Sequence, residues 1–139
     1  MNLQRFLDAQ QECYPSVLLE LRRGRKQGHW MWFIFPQLDG LGYSSTARFY
    51  SIRNLDEAAD YLAHQVLGPR LIDCCESLLL HSNRTALEIL DSPDDLKLHS
   101  CVTLFAQVHS APPAFDRILS TFYPSGPDLR TLELLGRGW

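Results

Sequence analysis

The segment Gly28-His29-Trp30-Met31-Trp32-Phe33-Ile34-Phe35-Pro36-Gln37 sets six large apolar side chains in a row between a histidine and a Pro-Gln pair. Burying one aromatic side chain is worth about 2–3 kcal/mol in area terms. The run is therefore expected to organise the core and to hold His29 and Gln37 at its edges. Continuous apolar sequence carries no period to separate a buried strand from a short buried helix; the surrounding chain favours helix.

On either side the apolar positions recur at helical spacing. Leu3, Phe6, Leu7 and Gln10 follow Asn2 as a candidate N-cap, and Val17, Leu18 and Leu21 follow Pro15, giving two short helices or one bent one. Gly24 can end that element inside Arg22-Arg23-Gly24-Arg25-Lys26, where cations suit a helix C-terminus. Ser44 or Ser45 can cap a short helix carrying Ala47, Phe49 and Tyr50, and Asn54 one over 55–62. Gly68-Pro69 opens a helix with Leu71, Cys74, Cys75, Leu78 and Leu79 inward. Asn83 is read as the cap of 84–90, Ser92-Pro93-Asp94-Asp95 as the start of a longer helix, Pro112-Pro113 and Asp128 as the starts of the last two. No segment alternates with period two. The expectation is an all-α fold: one multihelical globular domain over 1–139, with about seven to nine helices.

Composition narrows the function classes. A net charge of −3 argues against nucleic acid and against anionic membrane as partners. No apolar run approaches the ~18 residues that cross a bilayer, and Met1-Asn2-Leu3-Gln4-Arg5 lacks the apolar core of a secretory leader. A cytoplasmic protein is expected. Cys13, Cys74, Cys75 and Cys101 show no C-x-x-C spacing and read as reduced, mostly buried thiols. The histidines 29, 64, 81, 99 and 109 are dispersed, so no metal site is expected. Gly40-x-Gly42 is a fragment of a dinucleotide fingerprint that follows no strand, which argues against a dinucleotide fold and leaves the cofactor open.

Three constellations carry candidate chemistry. His29, Trp30, Trp32 and Gln37 suit a ligand pocket in which indole faces stack a planar ring and the polar ends bond its edge; packing alone explains an aromatic run more often. Histidine is the residue type suited to proton transfer near neutrality, which makes His29 a catalytic candidate. Lys97 and Ser100 share a helical face with Asp94, and a desolvated lysine can take a serine's proton. Their order is the reverse of Ser-x-x-Lys, and an Asp94–Lys97 ion pair with Ser100 bonded to the helix backbone is the commoner arrangement. His64, Arg70 and the basic 22–26 cluster suit a phosphate or carboxylate, against the simpler reading that Arg70 pairs with Asp73 or Glu76.

The 28–37 run also resembles a bacterial family described as domain of unknown function 1810, itself similar to a mycobacterial multihelical prototype. The match spans nearly the whole chain: Arg5-Phe6, Ala9-Gln10, Glu20-Leu21, Gly24-Arg25-Lys26, His29 to Gln37, Gly40-Leu41-Gly42, Tyr61-Leu62, His64, Leu67-Gly68, Arg70-Leu71, Asp94, Lys97-Leu98, Ser100, Thr103-Leu104-Phe105, Asp128 and Thr131-Leu132. The resemblance implies an all-helical fold and supplies no reaction, cofactor or catalytic residue. The chain departs from the family's usual pattern at Gln65, Cys101 and Val102, where proline, serine and methionine are usual. If a serine pair acts in the family, Cys101 either removes that role from this chain or relocates it to Ser100. The leading expectation is a domain that binds a small nucleotide-like or planar anionic ligand through His29, Trp30, Trp32, Gln37, His64 and Arg70. His29, Lys97 and Ser100 are the catalytic candidates if it is an enzyme. The alternative is a protein-interaction or scaffold domain with the aromatic run sealed as core; the sequence sets no oligomeric state.

Overall fold

Short polar side chains set many of the helix ends. In the computed structural model, which describes residues 2–136, ten helices follow in order: α1 Gln4–Gln10, α2 Tyr14–Arg23, α3 Met31–Ile34, α4 Ser45–Phe49, α5 Leu55–Ala63, α6 Leu67–Leu79, α7 Ala86–Leu90, α8 Asp94–Ala106, α9 Ala114–Phe122 and α10 Leu129–Leu134. Among the described residues there is no strand; a lone bridge pairs Leu38 with Ile52. The fold is all-α as expected. The count reaches ten because residues 4–23 divide at Gln11–Cys13 and because α3 and α4 are helices of four and five residues.

Ser44 caps α4, Asn54 caps α5 and Asp128 caps α10, each side-chain oxygen accepting a backbone N–H three residues on. Asn83 does not cap α7. Thr85 does, with Glu88 reaching back to the Thr85 N–H in a reciprocal capping box. Gly24 ends α2 in the left-handed conformation at φ +79°. Carbonyls there are also met from 60 positions away: His81 Nε2 lies 3.0 Å from the Leu21 oxygen and Arg84 Nη1 donates to the Gly24 oxygen at 2.7 Å. Since His81 Nε2 faces carbonyl oxygens at both Leu21 and Arg22, that nitrogen carries the proton.

α6 and α8, the longest helices at 13 residues each, form the middle of the molecule. α6 packs on α2, α5 and α9, and α8 on α5, α7, α9 and α10. Burial on several sides explains why neighbouring Cys74 and Cys75, about 100° apart on a helix, are both fully buried. In α8 all six residues from Ser100 to Phe105 are buried. Its polar members stay satisfied by bonding back one turn, Ser100 to the Leu96 oxygen and Thr103 to the His99 oxygen. Phe6, Tyr61, Phe105 and Phe115 form an aromatic chain through the core with successive centroids 5.1, 5.4 and 5.7 Å apart. Gly68 is required by close approach, because a Cβ there would run into the Leu62 carbonyl at the end of α5.

Candidate functional site

Trp30 and Trp32 are two residues apart, about 200° around a helix, so burying one turns the other outward. Trp30 is the core residue. It is 3% exposed, its indole N–H donates to Glu20 Oε1 at 3.0 Å, and its ring lies 6.2 Å from Phe35. The expectation that Trp30 lines a ligand pocket is thereby corrected, since nothing of it is left to meet a ligand. Glu20 Oε1 also accepts the Gln27 and Gly28 N–H groups at 2.6 and 2.9 Å. Burial would raise this carboxyl; the backbone N–H groups of Gln27 and Gly28, the indole and the Lys26 charge outweigh it and hold the acid below its ordinary range. The loop that carries His29 is thus anchored on α2.

Trp32 is half-buried and stands between two depressions. The first, of about 430 Å³, is walled by Lys26, His29, Asp91 and Asp94 among others. The second, of about 450 Å³, is walled by Gln37, Tyr43, Ser44, Ser100, Asp128 and Arg130 among others. Trp32, Pro93 and Lys97 line both, so the two form one cleft with an aromatic ridge. Lys97 Nζ sits 4.4 Å from the Trp32 ring centroid and 3.4 Å from Asp94 Oδ1. Asp94 Oδ2 in turn lies 2.9 Å from Lys26 Nζ, whose backbone N–H bonds the Ile89 oxygen at 2.8 Å. This stitch joins the 24–30 loop to the α7–α8 junction. Asp91, at the rim, adopts φ +65°, a left-handed conformation that costs a non-glycine residue of the order of 1 kcal/mol or more.

The charges divide unevenly. In the first basin Asp91 and Asp94 match Lys26 and Lys97, whereas the second has Lys97 and Arg130 against Asp128. The Asp128 carboxylate is already engaged, its Oδ2 accepting from the Ser100 hydroxyl at 3.2 Å and the Thr131 hydroxyl at 2.6 Å. The second basin therefore has the better disposition for an anion, beside the Trp32 and Tyr43 rings.

Of the residues singled out by sequence, His29, Trp32, Gln37, Lys97 and Ser100 meet along this cleft. His29 is exposed and makes no hydrogen bond among the described residues, and the Gln37 side-chain amide is likewise free. Lys97 turns to Asp94 and Trp32, while Ser100 donates to the Leu96 oxygen and Asp128. The two make no hydrogen bond with each other, so a lysine-activated serine is not assembled. His64 and Arg70 lie elsewhere. His64 Nδ1 accepts the Val66 and Leu67 N–H groups, and Arg70 bonds Gln10 Oε1 at 3.3 Å over the Tyr14 ring. Arg70 forms neither of the expected ion pairs with Asp73 and Glu76 among the described residues. The basic run also disperses, with Arg22, Arg23 and Arg25 exposed and Lys26 folded into the cleft.

Asp91, Tyr43 and Arg130 are cleft residues that sequence reasoning missed. They reach it from three separate stretches, and no local spacing announces that meeting.

Residues 1–135 match the family model described as protein of unknown function, DUF1810. The chain belongs to this family. Its structure is similar to the crystal structure of the conserved hypothetical protein Rv1873 from Mycobacterium tuberculosis, at a TM-score of 0.94 and 49% identity over 98% of this chain and 97% of that one. No curated protein matches the chain. At the DUF1810 departures, Cys101 and Val102 are fully buried in α8, so the thiol stands in the core and away from the cleft surface.

Proposed function

We propose that this DUF1810 protein binds a small planar anionic ligand, nucleotide-like in character, in the cleft divided by Trp32. The observation that carries the reading is the placement of the Lys97 ammonium on the Trp32 face between two basins. A planar ring stacks on Trp32 and Tyr43 in the second basin, its anion meets Lys97 and Arg130, and Gln37 and Ser44 bond its edge. Binding is favoured over catalysis, because Ser100 is tied to Asp128 and His29 has no partner to orient it among the described residues. The four free cysteines support a reducing compartment, the cytosol. No helix of the described residues is long and apolar enough to cross a membrane. The exposure of Tyr43 at 74% and Leu96 at 59% on the rim favours the second reading, a surface for a protein partner.

Titration with nucleoside 5′-monophosphates and aromatic carboxylates, followed by tryptophan fluorescence and calorimetry, separates the two. Saturable binding should be weakened about tenfold or more by Trp32→Leu and by Lys97→Met, each of which removes one recognition element of the stacked, charge-paired complex. If no member of the panel binds, or both variants bind as the parent does, the cleft is not a ligand site of this kind and the partner surface is the better account.

A further inference from the structure

Another depression lies away from the Trp32 cleft. It holds about 530 Å³ and is lined by Asn2, Arg5, Asp8, Arg48, Phe49, Ser51 and Arg53. We propose that Arg5, Arg48 and Arg53 form a second anion site, built for a phosphate or phosphomonoester, where α1 meets the segment between α4 and α5.

Two of the arginines, Arg5 and Arg53, are brought there by a buried carboxylate. Glu57, 2% exposed, accepts Arg5 Nη2 at 3.0 Å and the Arg53 backbone N–H at 3.1 Å on the same oxygen. Arg5 is held further by the Asn2 and Ser51 carbonyls, at 2.7 and 2.8 Å, and its guanidinium packs 4.4 Å from the Phe6 centroid. These three bonds engage three of the five N–H donors of a guanidinium, leaving two that meet no acceptor among the described residues. Such a guanidinium is immobilised before any ligand arrives, which lowers the entropy lost on binding.

Arg48, in the last turn of α4, and Arg53, just before α5, stand on either side of Ser51, whose hydroxyl donates to the Arg48 carbonyl at 2.8 Å. Neither arginine makes a salt bridge among the described residues. The one acid on the rim, Asp8, already accepts from Gln4 Nε2 at 2.8 Å. Three arginines therefore line one depression in a chain whose net charge is −3, with Glu57 balancing the charge of Arg5. A tetrahedral dianion suits them better than a planar monoanion, because it offers oxygens in several directions and twice the charge. Phe49, 59% exposed at the edge, gives the ester group an apolar face.

The test is calorimetric titration with inorganic phosphate, at low and high sodium chloride. The variants are Arg48→Met with Arg53→Met, Arg53→Lys alone, and Arg23→Met, an exposed arginine of α2 outside both sites, as the charge control. Arg48 and Arg53 are exposed, so their loss leaves the fold intact, which circular dichroism and urea midpoints check; Arg5 is spared because it neutralises Glu57. Saturable binding is expected, about tenfold or more weaker in the double variant, intermediate for Arg53→Lys, unchanged for Arg23→Met, and reduced by salt. Absence of saturable binding at millimolar phosphate, or equal binding by the double variant, overturns the proposal. Equal loss with Arg23→Met also overturns it, by making the effect one of general charge. Failure of the nucleotide panel at the Trp32 cleft leaves this result unaffected.

Discussion

Glu20 is the residue whose removal should most clearly show how the cleft depends on the core. Its Oε1 accepts from Gln27 N, Gly28 N and Trp30 Nε1. After Glu20→Ala the Gln27 N–H reaches water, but the Gly28 N–H is partly buried and the indole belongs to a ring that is 3% exposed. A stranded buried donor costs about 1–3 kcal/mol, so two of them predict a loss of about 3 kcal/mol. The pH dependence has a fixed sign. Because the folded protein holds Glu20 below its ordinary value, the charge-dependent part of this stability is full above the unfolded acid's pKa and disappears as pH falls through the lowered folded value. Urea unfolding of parent and Glu20→Ala, followed by circular dichroism at about pH 7 and again at about pH 3, measures both effects. The gap between the proteins should narrow on acidification. A gap under about 1 kcal/mol near neutrality, or one that widens in acid, refutes the anchoring role assigned to this carboxylate.

Other substitutions probe the scaffold. Gly68→Ala forces a methyl against the Leu62 carbonyl where two helices meet, and should lower stability by about 3 kcal/mol in urea melts; a change within experimental error would mean that the α5–α6 junction is looser than described. Thr85→Ala removes half of the α7 capping box and should cost about 1 kcal/mol, with Glu88→Gln costing less. Burial raises the thiols of Cys75 and Cys101 well above the ordinary value and pushes Cys74 up to about 12, so a disulfide reagent near pH 8 should find at most the half-buried Cys13 in the native protein and four thiols after denaturation. Rapid labelling of two or more would contradict the sealed α6 and α8.

The all-α class was legible because caps and helical stripes are local. Asn54, Ser44 and Asp128 each act within three residues of themselves; the structure uses Asn54 and Asp128 as read and takes Ser44 of the pair Ser44 and Ser45. Asn83 was misread because Asn, like Thr85 nearby, suits a cap; the Thr-x-x-Glu spacing of a capping box was the available signal. The 28–37 run was identified as core, but an aperiodic apolar run does not reveal which indole faces inward. That choice was made by Glu20, ten residues back. The grouping of His64 and Arg70 with the aromatic run failed for a related reason: where separate helices bring charged side chains depends on packing angles that no local pattern records. Residue type suggested an anion site, and its true neighbours, Gln10 and Tyr14, became visible only in three dimensions.

The clasp formed by Lys26, Ile89, Asp94, His81 and Arg84 has one more consequence. It joins segments about 60 positions apart, and through Lys26 and Asp94 it sets one wall of the Trp32 cleft. An unfolded or half-folded chain cannot reproduce that wall even transiently, so a compound fitted to it recognises the finished molecule alone. Its free energy of association then appears undiminished as resistance to unfolding, about 2.7 kcal/mol at a hundredfold excess over the dissociation constant. Melting temperature thereby becomes a direct reporter for discovering what the cleft holds.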